Sequence, residues 1–197
     1  MAVAPPRLIL GSSSPRRLQL LAQIGVTPDL VKGPDIDETP KPKEIPDAYC
    51  LRMALEKNAA LQAEFANDYI ITADTTVVVG RRILGKPDDR DDAEKMLKLL
   101  SGRAHRIYTS LAVKAPGRNT TSRLSISRVK VKHIGESELQ EFLADEKNWQ
   151  GFAGSYSLQG QFARFIINVQ GSPSGIIGLP LYETTQLLKG QGYGTAN

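Results

Sequence analysis

Asp74 interrupts the most apolar run of this 197-residue chain, which extends from Tyr69 to Val79. A carboxylate inside Ile70-Ile71-Thr72-Ala73-Asp74-Thr75 is costly to bury unless it is paired, hydrogen-bonded or metal-bound. Facing a cleft, it suits metal binding or general-base work; as a turn or capping residue it does no chemistry. Glu38 ends the acidic run Asp35-Ile36-Asp37-Glu38. That run reads either as a solvated loop or as the source of a second carboxylate that joins Asp74 around a divalent cation. Lys57 falls in the middle of a helix beside Met53 and Ala54, near its buried face, where a snorkelling lysine is the plainer account. Lys86 is stiffened by Pro87 just past a short strand. Gly80-x4-Gly85-Lys86 nearly spells a P-loop, but Pro87 offers neither the hydroxyl nor the N–H that such a loop needs, and its flanks read as a hairpin.

Ser12-Ser13-Ser14-Pro15-Arg16-Arg17 follows the apolar run Leu8-Ile9-Leu10 and reads as a strand turning into a helix. Ser14 stands at the N-cap and Pro15 at the first helical position. Two arginines then fall in the first turn, where the macrodipole disfavours each by roughly a few tenths of a kcal/mol. A bound anion accounts for them: a phosphate would take the free amides, the serine hydroxyls and a guanidinium fork. The alternative is a capped surface helix with two solvated arginines. Further on, Trp149-Gln150-Gly151-Phe152-Ala153-Gly154, Tyr156 and Gln159-Gly160 form a glycine-punctuated loop with aromatics. It fits a packed crossover or a base-binding wall, since a glutamine amide matches the donor and acceptor edge of a pyrimidine.

Composition narrows the chemistry. Cys50 is the single cysteine, and His105 and His133 are the only histidines. A cysteine-rich or histidine zinc site and a Ser-His-Asp triad are therefore poor readings. Hydrolysis would have to rest on carboxylates, lysines and arginines with a hard, oxygen-ligated cation. The net charge of +4 is mild and its cations are interleaved with acids, so stable nucleic-acid binding is not expected, whereas a small polyanion such as a nucleotide is. No apolar segment has membrane-spanning length, and a cytoplasmic protein is the expectation.

These residues need a scaffold of alternating strands and helices. Strands are expected at 7–11, 28–31, 69–79, 83–84, 104–113, 123–133 and 162–169. Helices are expected at 14–23, 47–66, from 88–89 to 100, at 137–144 and at 179–188. Strands interleaved with helices, plus one antiparallel pair around Gly117-Arg118-Asn119, indicate a mixed-sheet α/β protein.

Taken together, the motifs resemble the Maf family of nucleotide pyrophosphatases. They are Ser12-x-Ser14-Pro15-Arg16-Arg17, Asp37-Glu38-Thr39, Ala54-x-x-Lys57, Ala73-Asp74-Thr75, Leu84-Gly85-Lys86-Pro87, Ala93-x-x-Met96-Leu97, Leu100-Ser101-Gly102-Arg103-x-His105, Ala153-Gly154-x-Tyr156-x-x-Gln159-Gly160 and Gly178-Leu179-Pro180. Each alone is weak; the ordered set is specific. The resemblance implies an elongated α/β fold of the Maf/ITPase-like kind, with two lobes flanking a central cleft. The domain would run from 1 to 190, followed by a flexible tail at 191–197. It also implies hydrolysis of a nucleoside triphosphate to the monophosphate and pyrophosphate with Mg²⁺ or Mn²⁺, and a homodimer. In that frame Ser12 and Arg17 bind the triphosphate, and Lys57 and Lys86 neutralise its charge. Glu38 and Asp74 hold the metal, and Asp74 also orients or deprotonates the attacking water. Arg16, Thr75 and Gln159 fall at positions that the family associates with substrate preference. Gln159 points to the dTTP- and UTP-preferring branch, since the branch acting on 7-methyl-GTP usually carries glutamate there. A modified-purine pyrophosphatase and a non-catalytic regulator of cell division are the competing readings. Phe152 departs from the pattern, standing where the family usually has lysine.

Overall fold

The unbroken apolar run of β1 (Leu8–Gly11) is buried along its whole length, as suits a strand with neighbours on both sides. It lies parallel to β2 (Leu30–Val31) and to β3 (Tyr69–Val79). The computed structural model describes residues 5–194. β3 pairs antiparallel with β5 (Ala104–Lys114), which pairs with β6 (Thr121–Val131), which pairs with β7 (Ile166–Gln170). The short β4 (Arg82–Leu84) folds back on the end of β3. The result is one mixed seven-stranded sheet in the order β2-β1-β3-β5-β6-β7, with β4 beside β3.

One property of this sheet makes the site. β5 covers one edge of β3 from Ile70 to Val78. On the other edge, β1 ends opposite Thr72, and β4, running back from Val79, ends opposite Val77. Residues 73–76 are left with no strand on that side, so the polar triplet Asp74-Thr75-Thr76 borders a notch in the sheet. The end of β1 packs closely: a Cβ on Gly11 would lie 2.5 Å from Thr72 Cγ2 and 2.6 Å from Leu61 Cδ1.

Helices cover the sheet, and its apolar packing falls into two large clusters and a small third of Ile9, Leu61, Phe65 and Ile70. α1 (Pro15–Gln23) and α6 (Leu181–Gly190) contribute to a cluster with Leu8, Leu10, Leu20, Leu21, Ile71, Leu111 and Leu187. α3 (Arg90–Leu100) and α4 (Glu136–Leu143) contribute to a second, with Val77, Leu97, Ile107, Val129, Phe142 and Phe162. On β3 the notch residues lie between these two clusters. α2 (Pro46–Gln62) packs across β3 and β5 and carries Lys57. α3 starts where Asp89 caps it, accepting from the Asp92 amide at 2.8 Å, with acids in its first turn and Lys98 in its last.

Most elements start or stop within two residues of the sequence reading (β2 spans only Leu30–Val31, β6 Thr121–Val131 and α6 Leu181–Gly190), and three departures are larger. α2 ends at Gln62, short of Ala66. Residues 162–165, expected as strand, belong to a 3₁₀ turn (Gln161–Phe165), and β7 begins only at Ile166. Phe162 and Phe165 are both buried and three residues apart, a spacing that a 3₁₀ turn puts on one face and a strand does not. The short α5 (Pro173–Ile177) was not foreseen; Ser172 Oγ caps it through the Gly175 amide at 3.0 Å. Of the expected tail, Gln191 is buried and donates to Asn119 O and Thr121 Oγ1, and Tyr193 packs edge-on against Tyr69. Residues 195–197 lie outside the described residues. Among the described residues, no helix is long and apolar enough to cross a membrane.

Candidate active site

Ser12 stands at the turn from β1 into α1, buried, and its hydroxyl organises that turn. Ser12 Oγ accepts from the Ser14 amide at 3.1 Å and from Arg17 Nη1 at 3.0 Å. Arg17 Nε donates to Gly178 O at 2.9 Å, tying the start of α1 to the segment before α6. Ser14 is at the N-cap and Pro15 at N1 as expected, but Ser14 makes no side-chain cap, so the first-turn amides have no side-chain acceptor. Neither Arg16 nor Arg17 has a carboxylate at ion-pair distance among the described residues. Burial pulls the Arg17 guanidinium below its ordinary value, opposed in part by Asp74. The carboxylates nearby do not reach it, so this cation is desolvated and unmatched.

Across the notch, Lys57 Nζ donates to Asp74 Oδ1 at 2.7 Å and lies 2.9 Å from Glu38 Oε1. Lys57 is 8% exposed, so it is a buried bridge rather than a snorkelling lysine. Asp74 Oδ2 accepts from Thr76 Oγ1 at 3.1 Å, a partner two residues along the same strand face. Asp74 thus has an ammonium on one oxygen and a hydroxyl on the other. Glu38 remains half-exposed on its loop.

All but one of the residues singled out from sequence line a single cleft of about 790 Å³: Ser12, Arg16, Arg17, Glu38, Lys57, Asp74, Thr75 and Lys86. That volume is in the usual range for small-molecule sites. Thr75 points to the opposite face from Asp74, with its Oγ1 3.3 Å from Thr109 Oγ1. Lys86 is exposed at the mouth and, like the two arginines, makes no ion pair among the described residues. Gln159 is the exception. It is exposed on the loop just past Leu158 and is not part of the cleft wall. Opposite charges therefore converge, with Lys57 matched by two carboxylates and Arg16, Arg17 and Lys86 left over.

Sequence reasoning missed Arg52, Glu44 and Tyr49, which hold one wall of this cleft in shape, and it named the loop of the other wall without its tether. Arg52, one turn before Glu56 on α2, donates to Glu44 Oε1 at 2.6 Å, Glu44 Oε2 at 2.7 Å and Thr39 O at 3.1 Å. Its hydrogen bonds pull the Glu44 carboxyl down to about 2. Tyr49 Oη donates to Glu38 O at 2.9 Å. Together they strap the Glu38 loop to α2. On the far side the Gly154 amide donates to Gly85 O at 2.9 Å, fastening the 149–158 loop beside Lys86. Gly154 has φ +69°, and a Cβ there would meet Val77 Cγ1 at 2.9 Å. Gln150 and Phe152 also line the cleft.

The donor set fits a hard divalent cation of one kind. Among the described residues, no group of three or more His, Cys, Asp or Glu gathers as a metal cage. Glu38 and Asp74 alone supply two carboxylates, the number by which Mg²⁺ is usually held when waters and substrate phosphates complete its shell.

Residues 7–191 match the protein family described as Maf, Maf-like protein. The chain is 50% identical over 185 residues to a protein of Roseobacter denitrificans named dTTP/UTP pyrophosphatase, covering 94% of this chain and 97% of that one. It is 47% identical over 190 residues to a Caulobacter vibrioides protein of the same name, covering 96% and 98%. Among solved structures, a HAM1 protein from Coxiella burnetii superposes with a TM-score of 0.52 at 11% identity, over 94% of this chain and 99% of that one. This last likeness concerns the fold alone.

Proposed function

This chain belongs to the Maf family, and from that premise we propose that it hydrolyses dTTP and UTP to the monophosphate and pyrophosphate. The observation that carries the reading is the cleft's charge arrangement: three cations with no carboxylate partner beside a Lys57 bridged to Glu38 and Asp74. Unmatched cations in a partly desolvated cleft suit a polyanion, and a triphosphate is one. The names of the relatives at 47–50% identity favour the thymidine and uridine nucleotides. Such substrates belong to the cytoplasm, which is the location that this reading assigns.

In this mechanism Ser12, the Arg16 amide in the first turn of α1 and the Arg17 side chain receive phosphate oxygens, since Pro15 has no N–H and the Arg17 amide already donates to Ser14 O. Arg17 is held ready by its bond to Gly178 O and needs no rearrangement to point at the charge. Lys86 and Lys57 meet negative charge that builds up as the bond between the α- and β-phosphates breaks. Asp74, fixed by Lys57 and Thr76, orients the attacking water and accepts its proton. Glu38 and Asp74 would hold Mg²⁺ or Mn²⁺, which when bound supplies charge neutralisation on the phosphate oxygens. Gln159 and Thr75 act in base selection, Gln159 from the cleft's rim.

Pyrophosphate release from the natural nucleoside triphosphates and from 7-methyl-GTP, with and without Mg²⁺ or Mn²⁺, tests the proposal. Turnover of dTTP and UTP that disappears with chelator and returns with either metal is the expected result. Turnover confined to 7-methyl-GTP or another modified purine, or none with any nucleotide, overturns it.

A further inference from the structure

The cleft wall carries three aromatic rings, and two of them are committed elsewhere. Tyr156 is buried, its hydroxyl lies 2.7 Å from His105 Nε2 and its ring packs 4.4 Å from Phe162. Tyr49, on the first turn of α2, is buried and gives its hydroxyl to Glu38 O. Phe152 differs. It is only partly buried and belongs to none of the apolar clusters, although its neighbours Ala153 and Leu158 pack on one of them. What lies on its ring is Arg16, with Cζ 4.4 Å from the ring centre. Arg16 comes from the first turn of α1 and Phe152 from the loop tied to Gly85, so the contact spans the cleft.

A large aromatic side chain outside every core cluster, facing a cleft and covered by a flat cation, is placed to stack on a flat ligand. A guanidinium plane and a nucleobase use the same ring face. We propose that Phe152 is the stacking platform for the substrate's pyrimidine ring and that the base displaces the Arg16 guanidinium from it. The inference rests on the nucleotide reading above and extends it by assigning the base a wall. The platform adjoins the phosphate-binding groups on both sides: Arg16 precedes Arg17, and Gly154 is bonded to Gly85, next to Lys86. Stacking is tolerant of base identity, so Phe152 contributes affinity for a base as such, whereas hydrogen-bonding side chains choose which base.

Titration calorimetry with two probes separates this role from a structural one. The probes are the non-hydrolysable α,β-methylene analogue of dTTP and inorganic tripolyphosphate, which has no base, each with Mg²⁺. For Phe152→Leu the analogue is expected to bind on the order of tenfold more weakly, the range for one lost aromatic stack, while tripolyphosphate changes less than twofold. Phe152→Tyr keeps the ring and should bind the analogue as the wild type does. Equal weakening of both probes, unchanged analogue binding in Phe152→Leu, or a loss in Phe152→Tyr as large as in Phe152→Leu each overturns the inference. Wild-type protein that binds tripolyphosphate but gains nothing from the base also overturns it. Failure to bind either probe instead removes the nucleotide reading on which the inference stands.

Discussion

At the scale of single residues, the Lys57 bridge decides most. Asp74→Asn keeps the side-chain volume and leaves Lys57 paired with Glu38, so the fold should survive while pyrophosphate release falls on the order of a hundredfold or more. Kinetics on the purified variant, alongside its circular dichroism, check this. Lys57→Met has a different signature. Asp74 is then buried without its counter-charge, and breaking such a pair costs about 3–5 kcal/mol, readable as a lowered urea midpoint. Asp74 was legible in the sequence because a carboxylate inside an apolar strand needs a reason. Lys57 was legible only through the motif Ala54-x-x-Lys57, since on local grounds a lysine beside Met53 and Ala54 looks the same whether it snorkels or bridges. Only the approach of the Glu38 loop, a contact distant in sequence, separates the two. Gln159 shows the converse: a motif position stood out in sequence, yet the chain sets it on the rim of the cleft.

At the scale of elements, the cleft depends on loops held by a few polar bonds. The strap from Arg52 to Glu44 and Thr39 positions the loop that bears Glu38. Arg52→Met should therefore loosen the loop that bears Glu38 and, on the proposed metal-holding role of Glu38, raise the Mg²⁺ concentration for half-maximal activity by about tenfold, although Arg52 acts through the loop and does not touch Glu38 itself. A Mg²⁺ titration at saturating dTTP checks it. The strap's own ionisation is secure, because Glu44, held near 2, stays charged throughout the assay range. Gly154→Ala should displace the 149–158 loop, since a Cβ meets Val77 at a φ of +69°; weaker nucleotide binding in titration calorimetry is the expected outcome. Strand and helix identities were legible from apolar periodicity and from the Pro15 and Asp88-Asp89 start signals, whereas Pro46 at the start of α2 was not used. The turn at 161–165 was not, because Phe162 and Phe165 are apolar enough for a strand and differ only in spacing.

For the whole molecule, buried His105, hydrogen-bonded to Tyr156, couples stability to pH. Burial pushes the His105 imidazole down to about 4 from an ordinary 6.5. Between those values the unfolded chain takes up a proton that the folded protein refuses. Stability is thus fully present above pH 6.5 and declines as pH falls towards 4, by about 3 kcal/mol at roughly 1.4 kcal/mol per unit. Urea midpoints from pH 7 to 4.5 should show that decline, with a flatter profile in His105→Gln. The α/β class and the antiparallel pair β5–β6 were readable, but the other sheet partners and the opening at residues 73–76 were not. The opening arises from where β1 and β4 stop along β3, a matter of register that no local pattern encodes. That opening is where opposite charges meet, and the central claim is that a triphosphate gripped there is cut next to its α-phosphate. Phosphorus NMR of the reaction with dTTP and Mg²⁺ tests this most directly. Equimolar dTMP and pyrophosphate are predicted; dTDP with inorganic phosphate, or unreacted dTTP, would contradict it.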